Sequence, residues 1–138
     1  MKVLILCTGN SCRSQMAHGF LQSFSHEIDV FSAGTEPAEN INPRAVQVMK
    51  EVGIDISGHR PHSVMEYLNG TWDYVITVCG GANESCPVFT GSVEHRLHIG
   101  SDDPSDAVGP EEFIMSEFRR VRNEIKYRFE EFYKGILK

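Results

Sequence analysis

The chain has 138 residues, 41% of them hydrophobic and 23% charged, which suits one domain built on one core over residues 1–138. Its formal charge of -6 argues against nucleic acid or an anionic membrane as the main partner, because both attract basic surfaces. The apolar run at the N-terminus is broken after Leu6, too short for a signal-peptide core or a membrane span, so a cytoplasmic protein is expected.

In that compartment the four cysteines, Cys7, Cys12, Cys79 and Cys86, are expected to be reduced at rest rather than joined in a structural framework. Their spacing also fails as a zinc site, since no C-x-x-C pair occurs, and no metal is assigned. Nucleophilic or redox chemistry remains.

Taken in order, Val3 to Leu6 reads as a short buried strand and Ser14 to Phe24 as a helix. Between them lies Cys7-Thr8-Gly9-Asn10-Ser11-Cys12-Arg13-Ser14. A loop that ends on a helix N-terminus points successive N–H groups into one concavity, a nest for a tetrahedral oxyanion formed by Thr8, Gly9, Asn10, Ser11 and Cys12. Gly9 is expected to relax the turn. Arg13 adds a planar, permanently charged fork that takes two oxyanion oxygens at once. The same field is expected to lower the pKa of Cys7 and make its sulfur nucleophilic.

A second strand is predicted over Ile28 to Phe31, closed by Ser32-Ala33-Gly34. Asn42 is placed as the N-cap of a helix running from Pro43 to Val52, with Ala45, Val46, Met49 and Val52 on its buried face and Gly53 as its stop. Residues 54–62 read as a loop, and Ser63 caps a short helix through Leu68. Tyr74 to Val78 forms the clearest strand, ending on Cys79, and residues 79–86 carry no hydrophobic period. A fourth strand is predicted near Glu94 to Ile99, followed by Asp102-Asp103-Pro104. From Pro110 onward Phe113, Ile114, Phe118, Val121, Ile125, Phe129 and Phe132 mark a long amphipathic helix.

Strands alternating with helices predict an α/β fold, with a four-stranded parallel sheet wound by right-handed crossovers. Ligands of such sheets bind beyond the carboxyl ends of the strands, near a switch in strand order. Cys7, Cys79 and Asp103 follow three different strands and converge there.

The Cys7–Ser14 loop resembles the oxyanion loop of low-molecular-weight protein tyrosine phosphatases and of the arsenate reductases sharing their fold, a three-layer sandwich. Together with the pair Cys79 and Cys86 before Pro87, and with Asp102-Asp103-Pro104, it is similar to the thioredoxin-coupled arsenate reductases. Further similar stretches are Ser32-Ala33-Gly34, Asn42 to Val46, Glu51 to Ser57 and Arg120 to Ile125.

The resemblance implies a chain of sulfur displacements on arsenate. Cys7 is the nucleophile, Arg13 and the loop N–H groups stabilise the charged oxygens, Ser14 supports the Cys7 thiolate, and Asp103 is the general acid. Cys79 and then Cys86 resolve the intermediate, and thioredoxin reduces the last disulfide. The protein would act as a monomer with no cofactor of its own. Cys12 and Asp102 are read as structural residues.

Some members of the family bind potassium beside the loop. The matching positions here are Asn10, His18, Ser32 and His62, and imidazoles in place of two carboxylates predict that this site is weakened or lost. These histidines, with His59, His95 and His98, are expected to be exposed or hydrogen-bonded. Two alternatives stay open. One is a protein tyrosine phosphatase using Cys7, Arg13 and Asp103, although Ser105 and Asp106 stand where the phosphatases usually carry aromatic residues. The other is a thiol-based oxyanion or peroxide sensor without turnover.

Overall fold

The computed structural model describes residues 1–80 and 87–136, so the predicted loop beyond Gly80, with Cys86, lies outside the described residues. The elements run β1 (Lys2–Cys7), α1 (Arg13–Phe24), β2 (Asp29–Gly34), α2 (Pro43–Lys50), β3 (Thr71–Thr77), β4 (Ser92–His98) and α3 (Glu111–Ile136). Short 3-10 turns cover Val64–Tyr67 and Pro104–Asp106. The four strands lie in the order β2-β1-β3-β4, all parallel.

The chain therefore starts in the middle of its sheet, moves to one edge at β2 and crosses back to β3. Val3, Leu4, Ile5 and Leu6 are 0% exposed, which requires cover on both faces and makes the sheet the central layer of a sandwich. α1 and α2 both pack against α3. The buried side of α3 is Met115, Phe118, Val121, Ile125 and Phe129, and Phe113 instead lies exposed beside the start of the helix. Arg122 is buried on this face because it donates to the Val48 carbonyl at 3.0 Å and pairs with Glu51 at 2.8 Å.

β2 extends through Ser32, Ala33 and Gly34, which pair with Ile5, Leu6 and Cys7 rather than merely closing the strand. At Gly34 the backbone of the Cys7 loop passes close over the strand and leaves no room for a side chain. A Cβ on Gly34 would sit 2.4 Å from the Thr8 carbonyl oxygen. β3 begins earlier than predicted, at Thr71, with Trp72 buried in the core.

α2 ends at Lys50, and Gly53 takes a φ of 81° as the chain turns away. Its buried face is Ala45, Val48 and Met49, so Val48 replaces the predicted Val52, which is exposed. Ser63 caps its turn through a full capping box with Glu66. No described helix is long and apolar enough to cross a membrane.

Candidate active site

Residues 7–12 leave β1 and lead into α1 through a loop whose carbonyls are held outward. Those of Cys7, Thr8, Gly9 and Ser11 accept from the N–H groups of Thr35, Glu36, Ala38 and Asn42 at 3.2, 2.9, 2.9 and 2.8 Å. A trans peptide with its carbonyl turned one way presents the following N–H the other way. The N–H groups of Thr8, Gly9, Asn10 and Cys12 therefore face the opposite side of the loop, the nest predicted for an oxyanion. α1 adds to it, because its N-terminus has no side-chain cap and its first turn no acidic residue.

The residue that makes the turn is Asn10, with φ 52°, and not Gly9, which has an ordinary φ. Asparagine tolerates the left-handed region better than most residues. Its side chain is held at both ends: Nδ2 donates to Ser14 Oγ at 2.8 Å, and Oδ1 accepts from the His62 N–H at 2.8 Å. Gln15, 1% exposed and not singled out from the sequence, donates to the Asn10 carbonyl at 3.1 Å and to the Arg60 carbonyl at 3.2 Å. A glutamine in the first turn of an apolar helix is its only sequence signal.

Arg13 lies at the rim, its side chain 14% exposed. It donates to the Ser101 carbonyl at 2.9 Å and meets Asp103 Oδ2 at 3.4 Å, so the segment after β4 is tied to the loop after β1. The other Asp103 oxygen, Oδ1, accepts from Ser105 N at 3.0 Å and Ser105 Oγ at 2.6 Å. One carboxylate oxygen is thus committed to the turn and the other faces the guanidinium. Asp102 points elsewhere, paired with Arg120 at 3.2 Å.

Cys7 and Cys79 are buried and their side chains are in hydrogen-bond contact. Thr8 Oγ1 also lies 3.3 Å from Cys79 Sγ. The expected lowering of the Cys7 pKa is not found in this arrangement. The Cys79 contact and then burial raise it, and Arg13 and the Asn10 backbone N–H, which act in the opposite sense, do not prevail. Two adjacent sulfurs in a low-dielectric site do not ionise together, so at most one of the pair is charged at a time. Ser14 Oγ accepts from Asn10 Nδ2, which fixes the hydroxyl and leaves its O–H proton as a donor. Cys12 is 6% exposed and its pKa is pushed up to about 12, by burial first and Asp103 second, which leaves it an unreactive thiol.

Cys7, Arg13, Asp103 and Cys79 thus come together with the nest, while Cys86 lies outside the described residues. A family model described as "Low molecular weight phosphotyrosine protein phosphatase" matches residues 2–138. An arsenate reductase of Halalkalibacterium halodurans is 47% identical over 131 residues, covering 94% of this chain and 93% of its own. Among solved structures, an arsenate reductase in the oxidized state superposes with a TM-score of 0.82 at 32% identity, covering 98% of both chains. A thioredoxin-dependent arsenate reductase from Corynebacterium glutamicum does so at 0.72 and 29% identity, over 99% of this chain and 61% of that one. With the loop, the sheet order and these likenesses in agreement, the chain belongs to the low-molecular-weight phosphotyrosine protein phosphatase family.

Proposed function

We propose that this protein reduces arsenate to arsenite through Cys7, Cys79 and Cys86, with thioredoxin as the final reductant. The observation that carries the reading is the contact of a second cysteine, Cys79, with the Cys7 sulfur at the mouth of an oxyanion nest. A phosphatase needs one thiolate there; a thiol relay needs two.

Arsenate occupies the nest with its oxygens on the loop N–H groups and the Arg13 fork. The Cys7 thiolate attacks arsenic and forms an S–As bond, and the departing oxygen leaves as water after protonation by Asp103. Cys79, helped by Thr8 Oγ1, then attacks the Cys7 sulfur. The S–As bond breaks, its electron pair stays on arsenic as As(III), and a Cys7–Cys79 disulfide remains. Both electrons come from the two thiols, so no cofactor of the protein's own is required. Cys86 next attacks Cys79, freeing Cys7, and a thioredoxin dithiol reduces the Cys79–Cys86 disulfide. A cytoplasmic monomer is part of this proposal, as is independence from potassium, which the imidazoles of His18 and His62 at the two carboxylate positions support.

A pair of sulfurs that carries at most one charge suits this order. The first attack needs one thiolate, with the second sulfur still a thiol able to donate to it, and the second attack needs the proton gone.

The test is a coupled assay in which arsenate drives NADPH oxidation in the presence of thioredoxin and its reductase. Turnover is expected with thioredoxin and only weakly with glutathione and glutaredoxin. Hydrolysis of an aryl phosphate in the absence of any arsenate-driven NADPH oxidation would establish the phosphatase reading instead. Ser105 and Asp106, in the turn where an aromatic residue would stack on a phosphotyrosine ring, make that outcome the unexpected one.

A further inference from the structure

Most of the peptide groups that shape the nest are set by backbone partners, since the carbonyls of Cys7, Thr8, Gly9 and Ser11 accept from N–H groups of Thr35, Glu36, Ala38 and Asn42. The peptide between Asn10 and Ser11 is not. The Asn10 carbonyl accepts no backbone N–H among the described residues, although this buried residue makes the turn at φ 52°. Its partner is a side chain, Gln15 Nε2, at 3.1 Å.

A trans peptide presents its N–H opposite to its carbonyl, so whatever holds the Asn10 carbonyl decides where the Ser11 N–H points. With the carbonyl drawn to Gln15, the Ser11 N–H turns toward the nest, where it donates to no described residue and stays open to an anion. Turned over, the same peptide would aim a carbonyl dipole at the anion and repel it. A left-handed backbone at a residue other than glycine persists only where its surroundings over-determine it, and Gln15 is one of those surroundings.

Gln15 is itself fixed at three points. Its amide nitrogen donates to the carbonyls of Asn10 and Arg60 at 3.1 and 3.2 Å, and its Oε1 lies 2.9 Å from His59 Nδ1. With both amide hydrogens committed, Oε1 is the acceptor and His59 Nδ1 carries the proton. Half a turn of the amide would set its oxygen against two carbonyls and its NH2 against an N–H, so the bond from His59 selects the orientation that serves Asn10. The half-buried His59 is steadied in turn by the His18 ring, with centroids 4.6 Å apart, and by its own backbone N–H on the Ile56 carbonyl at 3.0 Å.

We propose that Gln15 and His59 are positioning residues for oxyanion binding: Gln15 turns the Asn10–Ser11 peptide so that the Ser11 N–H faces the anion, and His59 holds Gln15 in the orientation that does so. The inference rests on the arsenate reading only for the name of the substrate, because the same N–H serves any tetrahedral oxyanion.

The experiment titrates inorganic phosphate into the full reduced chain, by calorimetry for affinity and by amide NMR for the Ser11 N–H. In wild type the Ser11 amide signal is expected to shift as phosphate binds. Gln15→Leu is expected to weaken binding about tenfold or more and to abolish that shift, one hydrogen bond to a charged acceptor being lost. His59→Leu, at a less buried position, keeps the test open where Gln15→Leu fails to fold, and is expected to weaken binding about threefold to tenfold. His59→Asn places an amide nitrogen near the former Nδ1 and is expected to restore affinity to within about twofold of wild type, a rescue that loss of packing would not show. An absence of phosphate binding, a Ser11 signal that phosphate leaves in place, wild-type affinity in His59→Leu, or His59→Asn as weak as His59→Leu overturns the proposal. Failure of arsenate to drive NADPH oxidation would count against the reductase reading alone, because phosphate binding needs only the nest.

Discussion

The Cys79 side chain reaches the Cys7 thiol from the far side of the switch in strand order, with Cys7 at the end of β1 and Cys79 just beyond β3. Because the two strands are paired in parallel, Leu6 beside Thr77, their carboxyl ends share one level of the sheet. Residues 72 apart in sequence therefore meet without any excursion of the chain.

This contact governs the ionisation of Cys7. Replacing Cys79 by Ala removes the largest influence raising the Cys7 pKa and leaves Arg13 and the Asn10 N–H to pull it down against burial. The pKa is expected to fall, seen as faster alkylation of Cys7 near pH 7 and a lower midpoint in thiolate absorbance. An unchanged or higher midpoint would show that Cys79 is not the cause.

In the relay, Cys86→Ser stops the reaction one step short. A single equivalent of arsenite is expected per protein, with a Cys7–Cys79 disulfide trapped and visible by peptide mass mapping. Normal multiple turnover by this variant is incompatible with the order of displacements proposed above.

Asp103→Asn removes the proton donor and is expected to slow the oxyanion step on the order of a hundredfold, while thiol–disulfide exchange is retained. Ser105→Ala has a milder effect, because it deletes one hydrogen bond to Asp103 Oδ1 and keeps the backbone N–H bond. A loss of about threefold to tenfold in turnover is expected, with arsenate affinity little changed. A changed affinity with intact turnover would assign Ser105 to binding.

Gly34→Ala drives a Cβ against the Thr8 carbonyl, at backbone atoms that have no rotamer to escape into. The loop has to move, and the expected cost is about 2 kcal/mol of stability together with loss of oxyanion binding. Denaturant melts and phosphate-protection assays read the two effects separately. Unaltered phosphate binding would mean that the loop tolerates the shift.

His18 supplies a pH dependence with a definite sign. Its folded pKa, about 4, lies below the ordinary 6.5, so folding disfavours the protonated ring. Its contribution is fully present above pH 6.5 and is lost as pH falls toward 4, costing about 2 kcal/mol at pH 5. His59 shifts in the same direction, through burial. Melting temperature is expected to drop between pH 7 and pH 5 in wild type and to drop less in His18→Gln. Equal slopes in the two proteins would rule out His18 as the source.

The sequence by itself determined the βα framework and the anion loop, because both are local. Val3 to Leu6 is uniformly apolar, the Cys7–Ser14 segment runs straight into a helix start, and Asn42 with Pro43 and Ser63 with Glu66 cap their elements through nearby residues. Only the tertiary structure decided what depends on distant partners: that Ser32 to Gly34 is strand, that Asn10 rather than Gly9 makes the turn, and that Gln15 braces the loop. It also decided the proton affinity of Cys7. Loop dipoles and Arg13 are adjacent in sequence and argue for a thiolate, whereas the opposing influence comes from Cys79, brought to the Cys7 sulfur by strand pairing across the sheet. Electrostatic energy follows distance through space, and no reading along the chain contains that distance.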